Sequence, residues 1–229
     1  MPEINYKTFK TIRIRFEKTD NAKYISHLDL NRIFSRSFAR AGIEIMHTEG
    51  FNPRPKITFV SALSLGVESL CEFVEIKTAE KLPPPSAPPS TKREALGNEI
   101  FEKIKRSFPQ GINITDVYEP VNDFKNIDRT RYYIYMDLNG IGIDELKQLF
   151  DGDVIVEKKP GVNINLKDYI CDLNISDDLI DVVLKTNQEM FLNPENIIKA
   201  INLKYTEYTV EDYYIKKIEV YDKNNAVFR

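Results

Sequence analysis

Three arginines, Arg32, Arg36 and Arg40, recur at every fourth residue. On a helix that spacing stacks the guanidiniums along one stripe. Mutual repulsion makes such a stripe unfavourable unless acids or an anionic ligand neutralise it. Downstream lies Gly50-Phe51-Asn52-Pro53-Arg54-Pro55-Lys56. Asn52 and Arg54 each precede a proline and are pushed toward extended backbone, while Pro53 and Pro55 lock their own φ angles. The loop then presents Arg54 and Lys56 with little entropy left to lose on binding, and Gly50 lets a ligand come close to the backbone. Arg32, Arg36, Arg40, Asn52, Arg54 and Lys56 together read as a surface for an anion, phosphate above all. The plainer alternative is a solvated helix face beside a rigid connector.

Two histidines complete the candidate chemistry. His27 falls at a helix start, where free amides favour anions and disfavour imidazolium. It is the candidate general acid or base for phosphodiester cleavage, against the commoner role of capping or packing. His47 has no partner that the sequence identifies. The histidines are 20 residues apart and Cys71 and Cys171 stand alone, so there is no zinc spacing and no disulfide framework. Nor is there a Walker loop, a G-x-G-x-x-G or a G-x-S-x-G motif. No metal and no cofactor is expected.

The elements that must position these residues follow from periodicity. Thr11 to Phe16 alternates, which points Ile12, Ile14 and Phe16 to a core and Arg13 and Arg15 outward, where they can pair with Glu75 on a neighbouring strand. Ser26 caps a helix, with Asp29 three residues on resembling a capping box. Leu30, Ile33, Phe34, Phe38 and Ala41 form its apolar face, and Gly42 is its natural stop. Lys56 to Leu63 and Cys71 to Thr78 read as a hairpin joined near Gly66 to Ser69. Lys81 to Ser90, with five prolines, reads as an extended loop. Arg93 to Phe108 reads as a helix and Ile112 to Tyr118 as a strand. That β-α-β-β-α-β order is the ferredoxin-like plait.

The order repeats. Arg131 to Leu138 is a predicted strand and Ile143 to Phe150 a short helix. Strands follow over Asp153 to Lys158, Tyr169 to Ile175 and Ile180 to Thr186. A helix over Asn193 to Asn202 starts with Asn193 as cap and Pro194 in its first turn, and Tyr213 to Tyr221 is the closing strand. The expected fold is α+β, two tandem ferredoxin-like units over residues 1–124 and 125–229. Ten of the 12 tyrosines lie from Tyr118 onward. Tyrosines favour half-buried strands, and clustered ones also stack on bases.

Composition narrows the class. The chain has 229 residues, 42% hydrophobic and 29% charged, enough for a core in each unit. No run of 18 apolar residues exists, and residues 1–10 lack the apolar centre of a signal peptide. A cytoplasmic protein with no membrane partner is expected. The net charge of -3 conceals an excess of 11 Lys and Arg over 6 Asp and Glu in residues 1–65. An acidic body with one basic face is a poor nonspecific nucleic-acid coat, yet fits one local anion site.

Arg13-Ile14-Arg15-Phe16, Ile25 to Leu30, Arg40-Ala41-Gly42, Gly50 to Lys56 and Leu65-Gly66-Val67-Glu68-Ser69 resemble the radical SAM-linked protein family. The resemblance spans roughly residues 11 to 200 and is strongest in the first third. Members of that family occur alone or fused to cobalamin-type radical SAM proteins. The resemblance implies an accessory role, with a radical SAM enzyme or structured RNA as partner. The chain lacks the three-cysteine motif that such enzymes use for their cluster, so it is not itself one. The aromatic signature of RNA-recognition motifs is also missing from the first strand.

Three readings follow: a non-catalytic RNA- and phosphate-binding module, a protein-interaction adaptor for a radical SAM enzyme, and a metal-independent RNA endonuclease using His27. The last rests on a fold-level likeness to CRISPR repeat-processing endonucleases. The first is preferred, and a binding role over an enzymatic one.

Overall fold

A computed structural model describes residues 9–60, 63–79, 101–138, 140–176, 178–207 and 209–229. They form a mixed α+β chain, mostly sheet with few helices. It divides into two compact units, one ending at Asn122 and the other running from Asp123 to Phe228, with Gly66–Glu68 grouped with the second and Arg229 with the first.

In the first unit, β1 (Lys10–Lys18) pairs antiparallel with both β3 (Glu68–Thr78) and β4 (Ile112–Tyr118). A short β2 (Ile57–Phe59) pairs antiparallel with β3. The strand order is therefore β4-β1-β3-β2. Helix α1 (His27–Ala41) lies between β1 and β2 in the chain, and residues 101–105 are helical (α2). The β1 alternation is realised: Ile12, Ile14 and Phe16 are buried against Leu30, Phe34 and Phe38 of α1 and Ile104 of α2. Phe34 is the hub, with ring centroids 4.8 Å from Phe16, 5.1 Å from Phe59 and 4.6 Å from Phe108.

Helix α1 starts and stops where its capping chemistry places it. The Ser26 hydroxyl oxygen accepts from the Asp29 amide at 3.1 Å and donates to the Asp29 carboxylate at 2.8 Å. The acid thus returns to the capping hydroxyl. Gly42 is the C-cap. The turn into β4 needs Gly111, whose φ is +86° and whose carbonyl accepts from the Thr19 amide at 2.9 Å. A Cβ there would stand 2.8 Å from both Ala22 Cβ and Thr19 O, so neither backbone nor space admits a side chain.

In the second unit, β5 (Ile127–Met136), α3 (Ile143–Asp151), β8 (Ile170–Ser176), β9 (Leu179–Lys185), α4 (Glu195–Lys204) and β10 (Tyr213–Asp222) follow in turn. Their sheet runs β10-β5-β9-β8, all antiparallel. A separate hairpin, β6 (Ile155–Lys159) with β7 (Val162–Asn165), is inserted after α3. Ile134, Ile180 and Ile215 sit side by side in register and are buried.

Several expectations need correction. Arg13 does not face outward: it is wholly buried, because the second face of β1 is covered where Arg13 donates to the Asn122 carbonyl. The predicted pairing with Glu75 is present, and Arg13 and Glu75 are register partners. Among the described residues of Lys56 to Leu63, where a strand was expected, only Ile57–Phe59 are strand. One strand was expected over Asp153 to Lys158 where a hairpin forms, since the turn at Pro160 and Gly161 folds Val162–Asn165 back onto it. Asn193 does cap, accepting from the Glu195 amide at 3.2 Å, but Pro194 stands before the first helical residue. The proline-rich Lys81 to Ser90 loop, and residues 93–100 of the second expected helix, lie outside the described residues.

Candidate functional site

The segment between α1 and β2 doubles back on itself. Met46 N–H donates to Lys77 O at 2.7 Å, and Lys56 N–H donates to Met46 O at 2.8 Å. One step further out, Thr48 closes the neck of a loop. Its amide donates to Arg54 O at 2.8 Å and its hydroxyl accepts from the Arg54 amide at 3.0 Å. Residues 49–53 are thus a tip held by two hydrogen bonds and stiffened by Pro53 and Pro55. Gly50 sits there at φ +125°, a region that side-chain-bearing residues avoid.

Below the neck is a groove of about 440 Å³ lined by Arg54, Lys56, Lys77, Thr48, Thr58 and Glu75, together with Thr11 and strand backbone. Thr58 is the register partner of Glu75, which also pairs with Arg13. Strand alternation therefore sets these side chains on the face opposite Ile12 and Ile76. Arg54, Lys56 and Lys77 are exposed. Among the described residues no side-chain hydrogen bond or ion pair engages these three cations. The groove's acid, Glu75, is held instead by Arg13, with Nε to Oε1 at 3.0 Å. The groove keeps positive charge because its carboxylate is already neutralised from behind.

The predicted arginine stripe is not part of this groove; no α1 residue lines it. Arg32 pairs with Asp29 at 2.8 Å, and hydrogen bonds from Ser26 and then Arg32 hold the Asp29 carboxyl below the ordinary carboxylate range. Arg40 donates to Ser107 O at 2.6 Å and to the Ser37 hydroxyl at 3.0 Å, tying α1 to the end of α2. Arg36 is exposed and, of the three, is the one with no partner among the described residues. Asn52 is exposed at the loop tip. The stripe is thus largely consumed locally, while Arg54 and Lys56 are brought together with Lys77.

Sequence reading missed Lys77, Thr58 and Thr48. Their signal was register: Lys77 and Glu75 share the β3 face that Arg13 occupies on β1. It also missed Lys18, which is buried at the end of β1 and donates to Ile25 O at 2.9 Å, fixing the approach to α1. Burial pushes its pKa down, opposed by the Glu72 charge.

His27 is exposed, its ring edge-on to Phe59 at 5.3 Å and its Nε2 3.3 Å from the Asn31 amide nitrogen. It does not line the groove. His47 Nδ1 lies 2.9 Å from Ile45 O, a local bond that orients the ring. Among the described residues no three or more His, Cys, Asp or Glu side chains are placed to hold a metal ion, and no helix is long and apolar enough to cross a membrane.

The second unit presents a different surface. A groove of about 580 Å³ is lined by Tyr135, Tyr213 and Tyr214 with Asp137, Asp178 and Asp212. Three carboxylates make it unsuited to phosphate. The tyrosine rings contact one another, Tyr133 with Tyr135 at 6.2 Å and Tyr135 with Tyr214 at 5.9 Å.

Residues 11–194 match the model of a family described as uncharacterized protein conserved in bacteria (DUF2344). The chain belongs to this family. No curated protein matches the sequence. Among solved structures, the small subunit of acetolactate synthase from Thermotoga maritima is similar at 12% identity and a TM-score of 0.24, over 96% of this chain and 99% of that one. So slight a likeness carries no inference about this DUF2344 member. What it binds must be argued from its own groove.

Proposed function

We propose that this chain is a non-catalytic module that binds RNA through phosphate, at the groove of Arg54, Lys56 and Lys77. The observation that supports the reading is the set of three exposed cations, unengaged by acids among the described residues, beside a loop closed by Thr48. Loop ordering is largely complete before a ligand arrives, so little of the binding energy is spent on it. Arg36 and Asn52 are peripheral contributors, while Arg32 is paired with Asp29 within its own helix and Arg40 ties α1 to Ser107. The reading extends to the architecture: two tandem ferredoxin-like units, supported by the matching orders β4-β1-β3-β2 and β10-β5-β9-β8. An accessory role beside a radical SAM enzyme is the biological setting that the sequence resemblance suggests. An endonuclease using His27 has less support, because its imidazole lies outside the cationic groove.

Binding of the purified chain to total cellular RNA across a salt series tests the reading. Affinity should fall with a log–log slope of about -0.7 to -0.9 per phosphate contact, and Arg54→Glu/Lys56→Glu should abolish it. Salt-independent binding, or none by the wild type, rejects it.

A further inference from the structure

We infer that the tip of the 49–53 loop receives one unpaired nucleotide, with the base stacked on Phe51 and the adjoining phosphates held by Arg54 and Lys56. The inference rests on the phosphate-binding reading and adds the kind of RNA recognised. Phe51 is 111% exposed, more than any other large apolar side chain described. A phenyl ring standing free in water forgoes the burial that stabilises aromatic side chains in a core, and here the backbone enforces that position. The Thr48 bonds close the neck, Gly50 adopts φ +125°, and Pro53 and Pro55 stiffen the descending limb. Among the described residues the ring packs into no core.

The neighbours specify the occupant. Arg54 and Lys56 follow Phe51 by three and five residues and line the groove that begins at the loop neck. A π-face above cations that track a backbone is how single strands are gripped without sequence readout. Exposed Asn52, the next residue in the chain, offers an amide for a base edge. A duplex keeps its bases stacked inside and offers no free π-face to the ring, so loops, bulges and single-stranded ends are the fitting ligands. A lipid bilayer fits less well: beside Phe51 the tip offers only the small ring of Pro53 as apolar surface, and exposed Glu49 next to Gly50 opposes an anionic surface.

The sequence contains no tryptophan, so Phe51→Trp creates a single indole reporter at the tip. That variant and Phe51→Leu are titrated with a mixed-sequence single-stranded RNA nonamer, the same RNA as a blunt duplex, and vesicles of phosphatidylserine and phosphatidylcholine. The expected result is quenching of the indole by the single strand and not by the duplex. Phe51→Leu should bind the single strand roughly 5- to 100-fold more weakly than the wild type with an unchanged salt slope. Equal affinity of Phe51→Leu and the wild type, with an unmoved indole, overturns stacking and leaves the phosphate site standing. Failure of the wild type to bind either RNA overturns both. An indole blue shift on vesicles alone overturns the inference in favour of a membrane contact.

Discussion

Arg13 and Glu75 form an ion pair between registered residues of two antiparallel strands, and the arginine is wholly buried while the glutamate borders the cationic groove. One interaction therefore serves two ends. It gives a buried guanidinium a countercharge, and it withdraws the groove's carboxylate from Arg54, Lys56 and Lys77. Removing Glu75 takes from the buried guanidinium its registered countercharge. Glu75→Ala is expected to cost about 3 kcal/mol, read as a lower urea midpoint at an unchanged m-value. Replacing both partners, as Arg13→Met/Glu75→Leu, should recover most of that loss.

The two sets of basic residues should separate cleanly in a binding experiment. Arg54→Ala/Lys56→Ala removes two cations that no side chain engages among the described residues, and should weaken RNA binding while flattening its salt dependence by about 1.4 to 1.8 in log–log slope. Arg32→Ala and Arg40→Ala should leave that slope unchanged. Arg40→Ala should instead lower stability by about 1 kcal/mol through the lost tie to Ser107 O. Equal effects of both sets on the slope would falsify the assignment of phosphate contacts to the groove.

Phe34 is fully buried and touches four other rings, Phe16, Phe38, Phe59 and Phe108. Phe34→Ala opens a cavity that the surrounding strands cannot close. A loss of about 3–5 kcal/mol is expected, measured by equilibrium denaturation; Phe34→Leu should cost less than half as much.

Gly111→Ala is expected to destabilise by more than 1 kcal/mol although it adds a single methyl group. The substitution meets a positive φ and two contacts at 2.8 Å at once. Gly161→Ala provides the control, since it shares the positive φ but meets nothing within 4 Å. A calorimetric comparison should rank Gly111→Ala well below Gly161→Ala.

Tyr118 carries a pH dependence. Burial, partly offset by the Arg13 charge, pushes its phenol up to about 12 from the ordinary value of 10.0. The native state thus keeps a proton that the unfolded chain releases first. The contribution to stability is complete below pH 10 and is lost as pH rises through 12. The buried hydroxyl has no hydrogen-bond partner among the described residues. Tyr118→Phe should therefore be nearly neutral at pH 7 and more stable than the wild type at pH 11. Denaturation at the two pH values checks the sign.

Much of the first unit was legible from neighbours a few residues apart. Ile12, Ile14 and Phe16 alternate and do line the core; Ser26 and Gly42 bound α1 as their capping chemistry requires; β4 runs from Ile112 to Tyr118 as read. The β7 arm of the β6–β7 hairpin escaped because it is only four residues long and half of it is asparagine, which is depleted in strands, although Val162 and Ile164 do alternate with Asn163 and Asn165. The candidate site was half legible. Proline chemistry marks Arg54 and Lys56, but Arg32 and Arg40 look identical to free cations until their local acceptors are known.

Local order of this kind arises from backbone preferences and side chains within one or two turns, which a linear chain records directly. The groove does not arise that way. Thr11, Thr58 and Lys77 are distant in the chain, and they meet because β1, β2 and β3 pair in one register. A slip of one residue would turn Lys77 and Glu75 to the opposite face. Burial of Arg13 likewise depends on what covers the second face of β1, which alternation alone does not specify. Residue type set which charges were available; strand register decided which of them remained unneutralised.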